Sequence, residues 1–301
     1  MKFFKWIITR LIFTYLVCFL VTWHFLDYRK AKENAIGETM SRFVPGIAYF
    51  NDFVDRHDHF DEFKLHQCIA YHRRVVEYFS FQKSEAYQMM GFCYDRLGNL
   101  PRAIMSYQAA REANPVYFWP YYNLGIYAYK RKDYSQAVDF FQESLQTDIK
   151  MNMVLLLHSK VFTDVRLSDG SSYNVVQGML NARENSYIFL MESLFKLKKY
   201  DQLFKVALLG LKENSESQDI FYSYAGKAAF HQGSYEQALA LLQLALQKNP
   251  QNTDALLYTG LCFQAAGKEP QAQNLFAMAK QIYQQQGSAL EKHLNSTIRF
   301  F

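Results

Sequence analysis

The sequence predicts an all-α chain with an N-terminal transmembrane helix followed by an α-solenoid of paired helices. Three observations lead to this prediction: small and large residues recur in a 34-residue register, a long apolar segment opens the chain, and helix-breaking residues are scarce. Only 6 prolines and 13 glycines occur in 301 residues, whereas 50% of the residues are hydrophobic. Such a composition favours a well-packed helical structure over disorder.

The N-terminal segment has the length and polarity of one membrane-spanning helix. Residues 11–26 carry no formal charge, and the apolar stretch continues upstream past Arg10. A bilayer core needs about 20 apolar residues, and the long Arg10 side chain can extend to the headgroups. We therefore predict a membrane anchor over residues 1–34, with its helix at about 4–28. Aromatic residues suited to the two membrane interfaces are Trp6, Trp23 and Tyr28.

A cleaved signal peptide is the main alternative for this segment, and a buried helix of a soluble domain is a second. The basic and apolar regions of a signal peptide are present. However, the nearest small-residue cleavage site, at residues 35–37, lies about ten residues too far downstream. We therefore favour the uncleaved anchor.

Basic residues on both sides of the anchor bear on its orientation. They precede the helix at Lys2, Lys5 and Arg10, and they follow it at Arg29, Lys30 and Lys32. Positive residues prefer the cytoplasmic side, so the amino terminus and the first group favour a cytoplasmic N-terminus, while the second group opposes it. We predict a single-pass protein of the bacterial inner membrane, with residues 35–301 in the periplasm.

A repeated pattern of small and large residues follows the anchor. Glycines stand 34 residues apart, Gly91 with Gly125 and Gly226 with Gly260. Twelve residues after each glycine stands an alanine, and sixteen after it a large apolar residue. Small residues let two helices approach closely, and large residues fill the gap beside the next pair. The alanines are Ala103, Ala137, Ala238 and Ala272, and the large residues are Tyr107, Phe141, Leu242 and Phe276.

This pattern resembles the tetratricopeptide repeat family, whose unit of about 34 residues is a pair of helices. The resemblance implies an α-solenoid that binds proteins. It places Gly98, Gly233 and Gly267 at the turns between paired helices, where a left-handed residue ends the first helix.

The pattern also predicts how the chain is divided. In the degenerate central part, Met191 stands at the glycine position, which predicts a looser contact between the helices. The predicted segments after the anchor are a linker with a degenerate first helix pair at 35–83, two clear units at 84–150, two degenerate units at 151–217 with a longer loop at 166–172, two units at 218–286, and a capping helix at 287–301.

No catalytic or ligand-binding motif stands out in the sequence. Phosphate-loop, dinucleotide, metalloprotease and hydrolase signatures are absent, and no two of the four cysteines form a C-x-x-C pair. A polar cluster at residues 55–62 contains His57, His59 and Asp61, which could hold a metal. We interpret it as a solvated turn, because residues two apart point to different sides of a helix. We predict a protein that is not an enzyme, with no cofactor, metal or small-molecule substrate.

The charge distribution argues against nucleic-acid binding. The net charge is +5, but residues 1–34 hold six basic and two acidic residues and so account for +4 of it. A nucleic-acid-binding surface needs an excess of basic residues to neutralise phosphates. The rest of the chain lacks that excess, so we predict no nucleic-acid partner.

The family resemblance implies a binding groove formed by positions 2, 5, 9 and 12 of each first helix. The candidate partner-binding residues at these positions are Gln88, Phe92, Trp119, Tyr122, Ile126, Tyr129, Phe230, Leu257 and Leu261. Some family members bind a terminal carboxylate with Lys and Asn at these positions, a pattern that this chain lacks. The first two clear units instead offer an aromatic strip suited to an apolar segment of a partner, unless neighbouring parts of the superhelix cover the strip.

These observations lead to two functional hypotheses. The first is a membrane-anchored scaffold or assembly factor that binds membrane or envelope proteins through the groove. The alternative is a stoichiometric structural subunit of a larger membrane complex. The 22 tyrosines and 26 phenylalanines motivate the alternative, because permanent interfaces are rich in aromatic residues.

Overall fold

The computed structural model describes residues 62–78, 83–152, 175–213 and 217–286. Helices dominate these ranges, and no strand occurs within them. The helices are α1 (Glu62–Tyr78), α2 (Lys83–Arg96), α3 (Leu100–Ala113), α4 (Phe118–Lys130), α5 (Tyr134–Gln146), α6 (Val175–Lys196), α7 (Tyr200–Lys212), α8 (Gln218–His231), α9 (Tyr235–Lys248), α10 (Thr253–Ala265) and α11 (Glu269–Gln286).

From α2 onward the helices form pairs that stack in chain order. The pairs are α2–α3, α4–α5, α6–α7, α8–α9 and α10–α11, and α1 packs against α2. The first helices also touch one another along the array, α4 with α6, α6 with α8 and α8 with α10, whereas no two second helices pack to a comparable extent. The first helices therefore line the inner, concave side of an α-solenoid.

The repeat glycines hold each pair of helices at close range. A Cβ atom added at Gly91 would lie 2.5 Å from a ring carbon of Tyr107, and one at Gly260 would lie 2.5 Å from a ring carbon of Phe276. Both separations are too short for real atoms. The large residue sixteen positions after each glycine therefore fills the space that the missing side chain leaves, as the sequence pattern predicts.

Each turn between the two helices of a pair contains one residue in the left-handed conformation. Glycine supplies it at Gly98, Gly233 and Gly267, where φ is 72°, 78° and 73°. In the two central pairs the same place is taken by Lys132 and Lys198, with φ of 62° and 57°. A residue with a side chain is disfavoured in this conformation by roughly 1–2 kcal/mol. The packing of the flanking helices must therefore offset this conformational strain at Lys132 and Lys198.

The central part of the array differs from the predicted division. Two degenerate units of about 34 residues each were predicted over 151–217, which places a break between them near residue 185, but α6 runs unbroken from Val175 to Lys196. The rings of Phe141 in α5 and Phe189 in α6 stack with their centroids 5.4 Å apart. A complete helix pair between α5 and α6 would separate these rings. Within the described residues, this part of the chain therefore contributes one pair, α6–α7.

The missing boundary has a local cause. The second helices α3 and α9 end at Asn114-Pro115 and Asn249-Pro250, and proline cannot continue a helix. Residues 181–186 read NARENS and contain neither proline nor glycine. Nothing in this stretch ends the helix.

The pair α6–α7 redistributes side-chain volume between its helices. Met191 takes the place of the usual glycine, and Ala207, sixteen residues later, takes the place of the usual large residue. Both are fully buried at 0% exposure and belong to the same apolar cluster. The contact between α6 and α7 is less extensive than that of any other described pair, as predicted, and the large and small residues have exchanged helices across it.

A second exchange joins α7 to α8. Phe221 in α8 occupies the position that Ala86 has in α2 and Ala255 has in α10. Gly210 in α7 occupies the position that Ala245 has in α9. A Cβ atom added at Gly210 would lie 2.1 Å from a ring carbon of Phe221, whose side chain is fully buried. The larger residue in α8 is therefore accommodated by a smaller one in α7.

Three predicted segments are not described by the structure. These are the membrane anchor at 1–34, the loop at 166–172 and the capping helix at 287–301. Of the helices that are described, none combines the length and the apolar character needed to cross a membrane.

The exchange between Gly210 and Phe221 predicts non-additive effects of mutation. Gly210→Ala should destabilise the fold by about 1–3 kcal/mol through overpacking, and Phe221→Ala by about 3–5 kcal/mol through a cavity. The double variant has alanine at both positions, as the chain has at Ala245 and Ala255. It should destabilise the fold by at least about 1 kcal/mol less than the two single changes added together. Urea unfolding of the four proteins measures this coupling. Strict additivity would show that the two residues do not compensate for each other.

Candidate functional site

The N-terminal half of the predicted groove offers less accessible surface than the sequence suggests. Trp119 and Tyr122 in α4 are buried, with 6% and 1% of their surface exposed, and Gln88 in α2 is 7% exposed. Phe92, Ile126 and Tyr129 are half-buried.

The aromatic residues at the start of α4 account for this burial. The Tyr122 ring stacks on Phe118 with a centroid separation of 5.7 Å and meets Phe141 edge-on at 6.4 Å. Trp119 meets Phe118 edge-on at 5.4 Å. Four of the five residues from 118 to 122 are aromatic, and successive helical residues point about 100° apart. They cannot all face the concave side, so the aromatic strip is largely part of the core.

The C-terminal half of the predicted groove is more open. Leu257 in α10 is 41% exposed, and Leu261 in α10 and Phe230 in α8 are half-buried. All three lie on first helices, which line the concave side.

Two concave residues in α6 were missing from the predicted groove. Glu192 and Phe195 occupy positions 9 and 12 of their unit when Met191 is counted as the glycine position. Glu192 is 5% exposed, and Phe195 is half-buried. The sequence signal that identifies them is the alignment on Met191, which places them at groove positions.

A cation on the concave side is surrounded by aromatic rings. The Nζ of Lys227 in α8 lies 4.4 Å from the ring centroids of both Phe195 and Tyr224, and 5.6 Å from that of Tyr258. It also lies 2.9 Å from Oδ2 of Asp254 in α10. Only 6% of the lysine side chain is exposed. Cation–π contacts and the ion pair together compensate for the burial of the ammonium group.

A buried carboxylate extends this cluster. The hydroxyl of Tyr224 donates a hydrogen bond of 2.6 Å to Oε2 of Glu192, and Nζ of Lys196 lies 3.1 Å from Oε1. Glu192 raises the pKa of Lys196, and burial followed by the charge of Glu192 raises that of Tyr224. Charges along the concave side thus alternate from Lys196 to Glu192, Lys227 and Asp254. We call Glu192, Phe195, Tyr224, Lys227, Asp254 and Tyr258 the concave cluster.

An imidazole borders the concave cluster. The ring of His231 stacks on Tyr200 with a centroid separation of 4.5 Å, and its Nε2 lies 3.3 Å from the hydroxyl of Tyr258. Burial, followed by the charges of Lys227 and Lys198, lowers the pKa of His231. The imidazole is therefore neutral at pH 7.

One thiol–imidazole pair could suggest a nucleophile. Sγ of Cys68 lies 3.5 Å from Nδ1 of His72, and the hydrogen bond with Cys93 and the charge of His72 lower the pKa of Cys68 to about 5. However, the three residues are only 1–2% exposed, so a substrate cannot reach the sulfur. Among the described residues, no three His, Cys, Asp or Glu side chains could hold a metal ion. This cluster is a packing element between α1 and α2.

Comparison with known families agrees with this architecture. Sequence models of the tetratricopeptide repeat match residues 94–151 and 229–292. These two stretches of the chain are tetratricopeptide repeats. No curated protein matches its sequence.

Solved tetratricopeptide structures share the fold. YrrB, described as a tetratricopeptide protein with an unusual peptide-binding site, is 16% identical, with a TM-score of 0.50 and coverage of 73% of this chain and 96% of YrrB. A structure of the MamA protein is 14% identical, with a TM-score of 0.50 and coverage of 67% of this chain and 93% of MamA. At these identities the likeness concerns the fold alone.

The neighbours of His231 predict a measurable shift of its titration. Replacing Lys227 by Met should raise the pKa of His231, because it removes one of the positive charges that oppose protonation. NMR titration of the histidine ring measures this, and Lys248→Met on α9 is a control that removes one charge elsewhere. An unchanged His231 pKa in Lys227→Met would show that the charge of Lys227 does not lower the pKa of His231.

The lowered pKa of His231 makes the stability of the fold depend on pH. The pKa of His231 is lower in the folded protein than its ordinary value of 6.5, so the unfolded chain binds more protons between the two values. The contribution of His231 to stability is therefore full above the ordinary pKa and is lost as pH falls through it towards the folded pKa.

Proposed function

We propose that this chain is a membrane-anchored scaffold or assembly factor that binds partner proteins through the concave side of its tetratricopeptide array. The observation that carries the proposal is the concave surface from α6 to α10. On these first helices Leu257 is exposed, and Phe195, Phe230 and Leu261 are half-buried. Tetratricopeptide modules bind proteins, and this surface supplies apolar contacts next to fixed polar groups.

The charges of the concave cluster favour a particular kind of ligand. Lys196, Glu192, Lys227 and Asp254 form alternating pairs without net charge. A strongly charged segment would have to break one of these pairs, which is costly where the ions are desolvated. We therefore propose that the partner supplies a helix or extended segment with apolar side chains and few charges. YrrB, the tetratricopeptide protein described as having an unusual peptide-binding site, offers an analogy for a peptide-like ligand.

A stoichiometric subunit of a membrane complex remains the second candidate. Several large apolar residues on the second helices are exposed: Met105 at 67%, Leu209 at 50% and Met278 at 49%. Such residues could form a second, permanent interface on the outer side. This function would add to concave binding and does not exclude it.

Site-specific crosslinking tests the concave surface. We expect p-benzoylphenylalanine at Leu257 to crosslink a discrete partner protein in intact cells, because this residue lies on a first helix. The same probe at Leu244 is a matched control, since Leu244 is a leucine of similar exposure, 37% against 41%, but lies on the second helix α9. Mass spectrometry identifies the crosslinked proteins.

The outcomes separate the two candidates. Crosslinks at Leu257 support concave binding, and their absence would contradict it, whereas additional crosslinks at Leu244 would indicate the outer interface expected of a subunit. Gel filtration in mild detergent then distinguishes the roles. A subunit elutes with its partner at fixed stoichiometry, whereas an assembly factor is found mostly free.

The proposed topology has its own test. With the predicted helix at about 4–28 and a cytoplasmic N-terminus, a C-terminal reporter active only outside the cytoplasm should be active, and a cytoplasm-specific reporter should be silent. The slight excess of basic residues before the helix gives this direction. Activity from the cytoplasmic reporter alone would reverse the proposed orientation and leave the fold and concave binding unaffected.

A further inference from the structure

Two successive inter-helix turns carry a dense positive charge. The turn after α4 holds Lys130, Arg131 and Lys132, and the turn after α6 holds Lys196, Lys198 and Lys199, all of them exposed. We call these six residues the basic edge. Lys196 pairs with Glu192, and the other five make no ion pair within the described part of the chain.

The two acidic residues beside these turns are already engaged. Asp133 accepts a hydrogen bond of 3.1 Å from the backbone N–H of Gln136 at the start of α5. Asp201 accepts one of 2.7 Å from the side-chain amide of Gln232. Both carboxylates keep their negative charge, but even together with Glu192, the partner of Lys196, they are three against six cations, so the basic edge stays positive.

The two turns lie on the same edge of the solenoid. The ring of Tyr129 in α4 meets Phe189 in α6 with a centroid separation of 5.0 Å. Phe230 in α8 meets Tyr258 in α10 in the same way at 5.5 Å. Because both contacts join position 12 of one first helix to position 6 of the next, α6 follows α4 in the regular register, and their C-terminal turns are neighbours.

Two residues of the basic edge hold an unfavourable backbone conformation. Lys132 and Lys198 adopt positive φ at the place where three other turns use glycine. At Gly98, Gly233 and Gly267 an added Cβ atom would meet nothing within 4 Å, so a side chain at this place points away from the protein. The two lysine side chains therefore gain no contacts of their own at this place, and the strain is offset only by the packing of the flanking helices. Strain retained without a structural benefit points to function.

The aromatic residues at these turns hold the basic edge in place. Tyr134 and Tyr200 begin the second helices and meet Tyr129 and Phe195 with centroid separations of 5.7 and 6.1 Å. Amphipathic tyrosine rings beside lysines are typical of protein surfaces that lie at a membrane interface.

We propose that the basic edge docks on a surface of anionic phospholipids. Apart from Lys196, which pairs with Glu192 on the concave side, the cations stand at the rim of the array and not inside a groove. A bound peptide needs a groove to bury it, whereas a bilayer presents many anions in a plane, so the shape fits a lipid surface better than an acidic protein segment. This contact is additional to the anchor of the proposed function, which would only keep the array near the bilayer.

The strength of the contact can be stated per residue. Each basic residue near an anionic membrane surface strengthens binding about fivefold. Salt weakens such contacts steeply, because the Debye length falls to roughly 3 Å at 1 M ionic strength.

Lysine footprinting of the full chain tests the proposal. The protein is placed in nanodiscs of phosphatidylcholine alone or with about a quarter phosphatidylglycerol, and acetylation of each lysine is measured by mass spectrometry. We expect the five lysines of the basic edge to react severalfold more slowly with phosphatidylglycerol present, and high salt to reverse this effect. Lys212 and Lys248 should not change, since they end second helices on the opposite edge of the array.

A pair of variants sharpens the test. Lys132→Gly with Lys198→Gly installs the residue that the other turns use, so the fold should be retained, while docking on phosphatidylglycerol should weaken about 25-fold, by fivefold per charge. Lys212→Gln with Lys248→Gln removes the same charge from the opposite edge and should leave docking unchanged.

Two results would overturn the proposal. One is protection of the basic edge that does not depend on phosphatidylglycerol. The other is protection by a polyglutamate peptide and none by phosphatidylglycerol, which would assign the edge to an acidic protein segment. The anchor is judged separately, by whether the chain floats with phosphatidylcholine vesicles, so a failure here is distinguishable from a failure of the proposed function.

Discussion

The close contact between a small residue on one helix and a large residue on its partner sets the spacing of every helix pair in this solenoid. At Gly91 and Gly260 the neighbouring ring occupies the space of a missing side chain. Where the sequence departs from this pattern, the volume is conserved: Met191 is matched by Ala207, and Phe221 by Gly210. The array tolerates changed residues because packing depends on the summed volume at each contact.

This spacing brings side chains of successive first helices within contact distance on the concave side. Lys227 of α8 can reach Phe195 of α6 and Asp254 of α10 only because these three helices stack in register. The resulting cluster contains largely desolvated polar groups, and together with Lys196 its charges are matched. It gives the concave side fixed hydrogen-bonding groups beside apolar surface, an arrangement that suits recognition of a protein segment.

The same stacking aligns the inter-helix turns along one edge. Glycine is the favoured residue at each turn because its left-handed conformation carries no steric cost. In α4–α5 and α6–α7 this position is occupied by Lys132 and Lys198, whose side chains make the left-handed conformation unfavourable. The concave side and the turn edge are therefore two surfaces that meet at Lys196, one of balanced charge and one basic, and the same repeat geometry positions both.

The sequence by itself determined the repeat, its resemblance to the tetratricopeptide family and the three left-handed turns that contain glycine. Those properties depend on residues at fixed short spacings, such as Gly91 with Tyr107, so the chain shows them without reference to distant parts. The tertiary structure decided which residues are accessible. Trp119 and Tyr122 stand at groove positions in the sequence but lie in the core, because burial depends on neighbouring helices and not on position within one helix. It also placed α6 directly against α5, since a 34-residue register cannot show which units of a degenerate stretch complete a helix pair.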